Sequence, residues 1–253
     1  MKLLLIIFLL FIAQAANGQV AVTVGTGKSQ PAPNRKPSYH NHPATPLLYE
    51  DFENPTGYDL AGWGEDIGPG GIINEDYTAT VLYGTQSLFV DTPNDDQTQT
   101  TNSFAANGRV WIAFRFRPTA IIDPADSTVI ALTDAGNTCQ MKFTLNNDGG
   151  TVKIFSDCST GTPTGFGMTT NTTYNVWIEY NKNNGANRFA SIGFSTSGIR
   201  PTSGNNYAEH TSVITATDVS RIRIGHTTLE VNQEVDFILD HLIIDDEQIV
   251  NYP

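Results

Sequence analysis

The residues best suited to chemistry in this 253-residue chain are three carboxylates in Glu234-Val235-Asp236-Phe237-Ile238-Leu239-Asp240. A pair of carboxyls about 5–5.5 Å apart would suit hydrolysis of a glycosidic bond with retention. Glu234 and Asp240, six residues apart, span about 20 Å in a strand that rises roughly 3.3 Å per residue, which is too far. Glu234 and Asp236 lie two apart on one face and are near enough to pair, although three acids on a solvated strand face are the plainer reading. No Gly-x-Ser-x-Gly elbow, His-Glu-x-x-His pair or phosphate-cradling glycine loop occurs in the sequence.

Aromatic rings beside polar groups offer a different chemistry, the stacking and hydrogen bonding that hold a sugar. Tyr58, Trp63, Tyr77, Tyr83, Phe166 and Tyr207 fall in expected loops, with Asp59, Glu65 and Asn206 close by in sequence. Trp63 is the first choice, because an indole between Gly62 and Gly64 does not fit a strand core. Trp111 and Trp177 lie inside expected strands and read as packing residues. Tyr39-His40-Asn41-His42 offers two alternating imidazoles, but a zinc site needs three or four rigidly held ligands.

Charge narrows the partners. Residues 1–49 hold four of the 14 basic residues and no acid, so residues 50–253 carry 10 basic and all 26 acidic residues, a formal −16. That balance repels phosphate backbones and argues against nucleic acid. It suits neutral or cationic ligands, or Ca2+.

The elements that must position these groups are mostly strands. Lys2, the apolar run Leu3–Ala13 and the small-x-small site Ala13-Gln14-Ala15 describe a signal peptide over residues 1–15, with cleavage as late as Gly18 as the alternative. The run is too short to span a bilayer. Residues 16–45, punctuated by Pro31, Pro33, Pro37 and Pro43, read as a Pro/Gly/Ser-rich linker. From residue 46 to 253, period-two alternation takes over. Val110, Ile112, Phe114 and Phe116 share one strand face, and Tyr174, Val176, Ile178 and Tyr180 share another. Further strands are expected at 46–53, 86–91, 97–104, 127–133, 138–146, 150–158, 188–196, 219–225 and 235–245. Many short strands joined by Gly, Asn and Asp turns predict an all-β, two-sheet antiparallel sandwich or jelly roll as a single domain.

One hairpin is predicted in detail. In Asn146-Asn147-Asp148-Gly149-Gly150, Asp148 and Gly149 are expected to supply the positive backbone angles of a tight turn. Leu145 then faces Val152, Phe143 faces Ile154, Met141 faces Ser156 and Cys139 faces Cys158 on the core side. Opposed residues lie close enough for a disulfide. A turn slipped by one residue would separate the two cysteines onto opposite faces. Asn171-Thr172-Thr173 is a glycosylation sequon, relevant only for a eukaryotic source.

The order of motifs resembles a family. Glu50-Asp51-Phe52-Glu53, Trp63-Gly64-Glu65 and Gly84-Thr85-Gln86-Ser87-Leu88 come first. Arg109-Val110-Trp111-Ile112-Ala113-Phe114, Tyr174-Asn175-Val176-Trp177-Ile178-Glu179-Tyr180 and Leu239-Asp240-His241-Leu242-Ile243-Ile244 follow. Over roughly residues 46–250 this is similar to the laminin-G-like jelly rolls of the concanavalin-A-like lectin/glucanase superfamily. The resemblance implies that the first and last strands are neighbours. It implies no required cofactor, and admits Ca2+ held by Asp51, Glu53 and Asp240 near the paired termini or by the oxygen-rich run Asp91–Asp96. Family 16 glycoside hydrolases of that superfamily carry a mid-chain Glu-x-Asp-x-Glu or Glu-x-Asp-x-x-Glu strand. Here Ile238 or Leu239 stands where the second glutamate belongs, and the segment is in the final strand. The resemblance therefore implies a secreted, non-catalytic, lectin-like module that binds a glycan or polysaccharide, with Trp63, Tyr58, Asp59, Tyr83 and Tyr207 as ligand contacts and no catalytic residue. A secreted adhesion or structural module, and an unrecognised polysaccharide hydrolase or lyase, are the alternatives.

Overall fold

A computed structural model describes residues 46–53, 62–92, 97–122, 125–184, 187–212, 217–226 and 234–249. The expected signal peptide and linker lie outside them, as do Tyr58 and Asp59. Among the described residues, fifteen strands run in chain order. They begin with β1 (Leu48–Glu50), β2 (Gly64–Ile67), β3 (Ile72–Tyr77), β4 (Ser87–Thr92) and β5 (Thr98–Asn107). Next are β6 (Arg109–Ile121), β7 (Ser127–Thr133), β8 (Cys139–Leu145), β9 (Thr151–Phe155) and β10 (Gly161–Gly167). The last five are β11 (Tyr174–Asn184), β12 (Asn187–Ser195), β13 (Tyr207–Ser212), β14 (Val219–His226) and β15 (Val235–Asp245).

They form two antiparallel sheets, the sandwich that the alternation predicts. The first sheet has the order β13-β12-β11-β6-β15-β4-β3, with β1 added against β15. The second has the order β10-β9-β8-β7-β14-β5-β2. Leu48 opposite Ile244 and Glu50 opposite Leu242 make the first and last strands neighbours, as the resemblance implies. No α-helix is assigned among the described residues, and none is long and apolar enough to cross a membrane.

Alternation decides which side chains meet between the sheets. Val110, Ile112, Phe114 and Phe116 of β6 pack with Phe143 of β8, Phe237 of β15 and Ile222 and Ile224 of β14 in one continuous core. Fully burying one such side chain stabilises by about 1.5–3 kcal/mol. A separate cluster lies on the other side of the first sheet, where Trp111, Ala113, Trp177, Ile243 and Ile249 pack together under Tyr49. Trp111 and Trp177 are packing residues, as expected, but they close the outer face of a sheet and do not fill the main core.

The hairpin of β8 and β9 has the predicted register: Leu145 faces Val152 and Phe143 faces Ile154. Its turn differs. The positive angles fall on Gly149 (64°) and Gly150 (67°), not on Asp148 and Gly149. The loop is longer than two residues because the Asn146 and Thr151 backbones still bond, with Asn146 N donating to Thr151 O at 3.2 Å. The strand pairing is unchanged, and Cys139 and Cys158 form the disulfide with Cα atoms 6.1 Å apart. Both half-cystines are half-buried, closer to the sandwich rim than the core-side parity implied.

Candidate functional site

The two outward faces of the sandwich differ in chemistry. On the second sheet, Ile222, Ile224, Leu132, Met141, Phe143, Val152 and Ile154 point inward. Their neighbours must then point outward. Pairing aligns these outward residues into a row: Phe155 faces Lys142, Lys142 faces Ala131, Ala131 faces Arg223, and Arg223 faces Thr101. Two strand spacings of about 4.8 Å put Lys142 and Arg223 roughly 10 Å apart across the small Ala131. Arg221 lies on the same face two residues before Arg223, and Lys153 two before Phe155.

Four of the ten basic residues of the sandwich region therefore share one face. Lys153 is neutralised by Asp126 at 2.8 Å. Lys142, Arg221 and Arg223 form no ion pair with a described acid. Lys142 Nζ stands over the Phe155 ring, 4.7 Å from its centroid, a cation–π contact that holds the ammonium on the face. Arg221 donates to the side-chain oxygen of Asn137. Burial, and then the adjacent Arg221 charge, hold Arg223 below the ordinary guanidinium value. An anion placed over Ala131 would relieve that cost. The one acid toward the β2 edge, Asp66, accepts from Gln97 Nε2 at 2.6 Å and from Gln99 Nε2 at 3.5 Å. A chain with a formal charge of −12 thus carries a local cationic stripe.

What this face lacks is also chemical. Among the described residues, the outward positions of the second sheet hold no Tyr or His. His226, at the end of β14, is fully buried on the core side. The face can bind and neutralise an anion, and Lys142, Lys153 and Asp66 are titratable side chains on its described part.

The outward face of the first sheet is closed on itself. Arg109 and Arg200 lie against Trp111, 5.0 and 4.3 Å from the ring centroid. Both pair with Glu179, at 2.7 and 3.7 Å. Beside them β15 bulges between Asp240 and Ile243, and His241 takes a φ of 53°, a left-handed angle that costs a non-glycine residue on the order of 1–3 kcal/mol. Its imidazole stacks on Tyr83 with centroids 4.6 Å apart and meets Tyr49 edge-on at 5.6 Å. Arg115 lies 4.9 Å from the Tyr83 ring centroid. Burial, then the Arg115 charge, push the His241 pKa down to about 4. Burial raises Tyr49 well above the ordinary phenol value, helped by the Asp51 charge. The imidazole is wholly buried between Tyr83, itself 40% exposed, and Tyr49.

The sequence-predicted residues are therefore dispersed. Trp63 belongs to the main core at 8% exposure and presents no ring face to solvent. The flanking glycines permit that burial and did not signal a loop platform. Tyr83 is 40% exposed but lies on the first sheet's face, and Tyr207 is half-buried on β13, its hydroxyl bonded to Glu209. Asn171, exposed with a φ of 62°, accepts from Arg117 Nη2 at 3.4 Å. Asp236 pairs with Asp91 directly opposite on β4, not with Glu234 alone. Burial, then the Asp91 charge, push Asp236 up to about 7.

Of the three residues named for Ca2+, Asp51 Oδ1 accepts the Glu53 N–H at 3.3 Å. Glu53 accepts the Thr85 N–H and hydroxyl, each at 2.6 Å. Asp240 Oδ2 accepts Ser87 Oγ and the Tyr83 N–H, each at 2.8 Å, while its buried Oδ1 has no partner among the described residues. Burial, with a smaller contribution from the Glu53 charge, pushes Asp240 up to about 7. No three acid, His or Cys side chains converge on one point among the described residues. Glu53 and Asp240 fit a cation whose other ligands would be hydroxyl, carbonyl or water oxygens. Asp51 is turned to the Glu53 amide. Of the run Asp91–Asp96, residues 93–96 lie outside the described residues.

No protein-family model matches the chain, and no curated protein matches it by sequence. Solved structures do match in shape. An endo-β-1,4-glucuronan lyase from the fungus Trichoderma reesei superposes with a TM-score of 0.56 at 14% identity, over 82% of this chain and 98% of that one. The cellulose-induced protein Cip1 gives 0.56 at 12% identity, over 80% and 99%. A marine PL-14 alginate lyase from Aplysia kurodai gives 0.50 at 7% identity, over 79% and 99%. The chain shares its fold with polysaccharide lyases. At these identities the likeness is one of fold, and it is compatible with the concanavalin-A-like sandwich expected from the motif order.

Proposed function

We propose that this protein is a secreted, non-catalytic carbohydrate-binding module, laminin-G-like within its superfamily, whose second sheet takes an acidic polysaccharide across its outward face. The observation that carries this reading is the Lys142–Ala131–Arg223 row. Two cations with no ion pair among the described acids flank Ala131, with the Phe155 ring beside Lys142 and Thr101 beside Arg223. Ala131 and Phe155 are themselves buried, so the row meets solvent through the half-buried Lys142, Arg223 and Thr101. That arrangement suits a polymer whose sugars carry carboxylates, with charge supplying attraction and the neighbouring polar groups supplying register. The substrates that two fold neighbours are named for, glucuronan and alginate, are polymers of that charge class, which supports the reading by analogy of fold.

The test is a panel of acidic and neutral polysaccharides, scored in parallel for retention of the protein and for release of unsaturated products. Retention on glucuronan or alginate without product is the expected result. Product release would convert the reading to that of a lyase. Ca2+ at Glu53 and Asp240 is a separate proposal, supported by the unpartnered Asp240 oxygen. It is expected to raise Tm in the wild type and to leave Tm unchanged in Asp240→Asn.

A further inference from the structure

A second feature lies where the two sheets meet at one edge. β10 ends the second sheet, and β12 and β13 end the first. Between them is a cleft of ≈460 Å3 lined by Phe166, Gly167, Tyr174, Phe194, Ser195, Thr196 and Asn206. Its size is within the range of small-ligand sites, roughly 300–1,000 Å3. We propose that this cleft is a glycan subsite for a neutral pyranose, distinct from the cationic face.

The walls are held in place. Phe166 N donates to Asn205 O at 2.7 Å, which ties β10 to the turn before β13. Gly165 permits that approach, since a Cβ there would lie 3.0 Å from Asn205 side-chain atoms. Tyr174 and Phe194 pack edge to face with centroids 5.6 Å apart, and the Tyr174 hydroxyl accepts the Thr169 N–H at 2.9 Å. The cleft floor is therefore a fixed aromatic pair. Phe166 is the exposed wall, with 61% of its side chain open to solvent.

The polar groups are set for hydroxyls. Asn206 Nδ2 donates to Phe194 O at 2.7 Å, which fixes the amide and turns its Oδ1 away as an acceptor. Thr196 adds a hydroxyl that can both donate and accept, whereas Ser195 Oγ already accepts the Ser197 N–H at 3.0 Å and lies 2.8 Å from Ser197 Oγ. None of the seven lining residues carries a charge at neutral pH. A uronate carboxylate would find no cation among the described lining residues, whereas a neutral sugar would find the Phe166 ring for its C–H groups and the Asn206 amide and Thr196 hydroxyl for its O–H groups. The same composition disfavours a charged peptide.

The experiment titrates the full chain with cellohexaose, xylohexaose and mannohexaose, and repeats it with Phe166→Ala and with Lys142→Ala/Arg223→Ala. At least one neutral oligosaccharide is expected to bind, at least tenfold more weakly to Phe166→Ala and within twofold of wild type to the double variant. Because Phe166 is mostly exposed, unchanged thermal unfolding in Phe166→Ala is the accompanying control. The assignment is overturned if no neutral oligosaccharide binds, if Phe166→Ala binds within twofold of wild type, or if the cleft takes only the apolar probe 8-anilinonaphthalene-1-sulfonate and no sugar displaces it. Loss of acidic-polysaccharide binding in the double variant is read separately, so either proposal can fail without the other.

Discussion

The outward faces of the two sheets both carry cations, but Arg109 and Arg200 of the first share a carboxylate that the Lys142–Arg223 row of the second lacks among the described residues. On the first sheet, Arg109 and Arg200 spend their charge on Glu179 and their planes on Trp111. On the second, Lys142, Arg221 and Arg223 have no ion-pair partner among the described acids, and burial with like charge nearby depresses Arg223. The difference teaches that counting basic residues does not find a binding face. A guanidinium paired with a carboxylate has already met its anion, while one beside another cation is held in a state that a ligand would improve.

Substitutions can break this contrast, and the largest effect is expected on the closed face. Trp177→Ala should cost about 3–5 kcal/mol, because it empties a packed site, and should leave polysaccharide affinity per folded molecule unchanged. Denaturant unfolding beside a binding titration checks both halves. Cys139→Ala/Cys158→Ala opens a loop with a sequence separation of 19. About 3 kcal/mol of stability should be lost, lowering Tm by roughly 6–12 °C. Lys142→Ala and Arg223→Ala invert the pattern. Each should weaken acidic-polysaccharide binding roughly tenfold, and stability should stay within about 0.5 kcal/mol of wild type, as for ordinary surface changes.

A smaller effect is expected from pH. Asp236, raised from 3.8 to about 7 beside Asp91, binds a proton in the folded state that the unfolded chain releases between those values. Its contribution to stability is therefore full below about pH 4 and is lost as pH rises through 7. In Asp236→Asn the fall in Tm between pH 5 and 8 should become shallower, and an unchanged slope would assign the titration elsewhere. The smallest effect belongs to Lys153→Ala. With its charge already met by Asp126, less than a twofold change in affinity is expected.

Much of the fold is legible in the sequence, and the part that is not has a common cause. Strands such as β6, β11, β8 and β15 are flanked on both sides, so their buried faces alternate cleanly. The four strands without a sequence expectation, β2, β3, β10 and β13, are the four sheet edges. Edge strands are half solvated and carry turn residues: Gly64-Glu65-Asp66-Ile67 and Gly161-Thr162-Pro163-Thr164-Gly165-Phe166-Gly167 read as loops for that reason. The β8–β9 register was readable because two short strands and one turn fix it locally. The row was not, since Phe155, Lys142, Ala131, Arg223 and Thr101 come from five strands, β9, β8, β7, β14 and β5, and meet only through pairing. Average charge concealed them further. A formal −16 over the sandwich region points to neutral or cationic ligands, while Lys142, Arg221 and Arg223, with no ion pair among the described acids, share one face.

The most direct test of the account is a map of amide chemical shifts in the full chain titrated with oligoglucuronate. The account predicts changes at Lys142, Ala131, Arg223 and Thr101, growing as salt is lowered, and none at Trp111, Trp177 or Ile243. Changes confined to the first sheet, with the Lys142–Arg223 row silent, would contradict it.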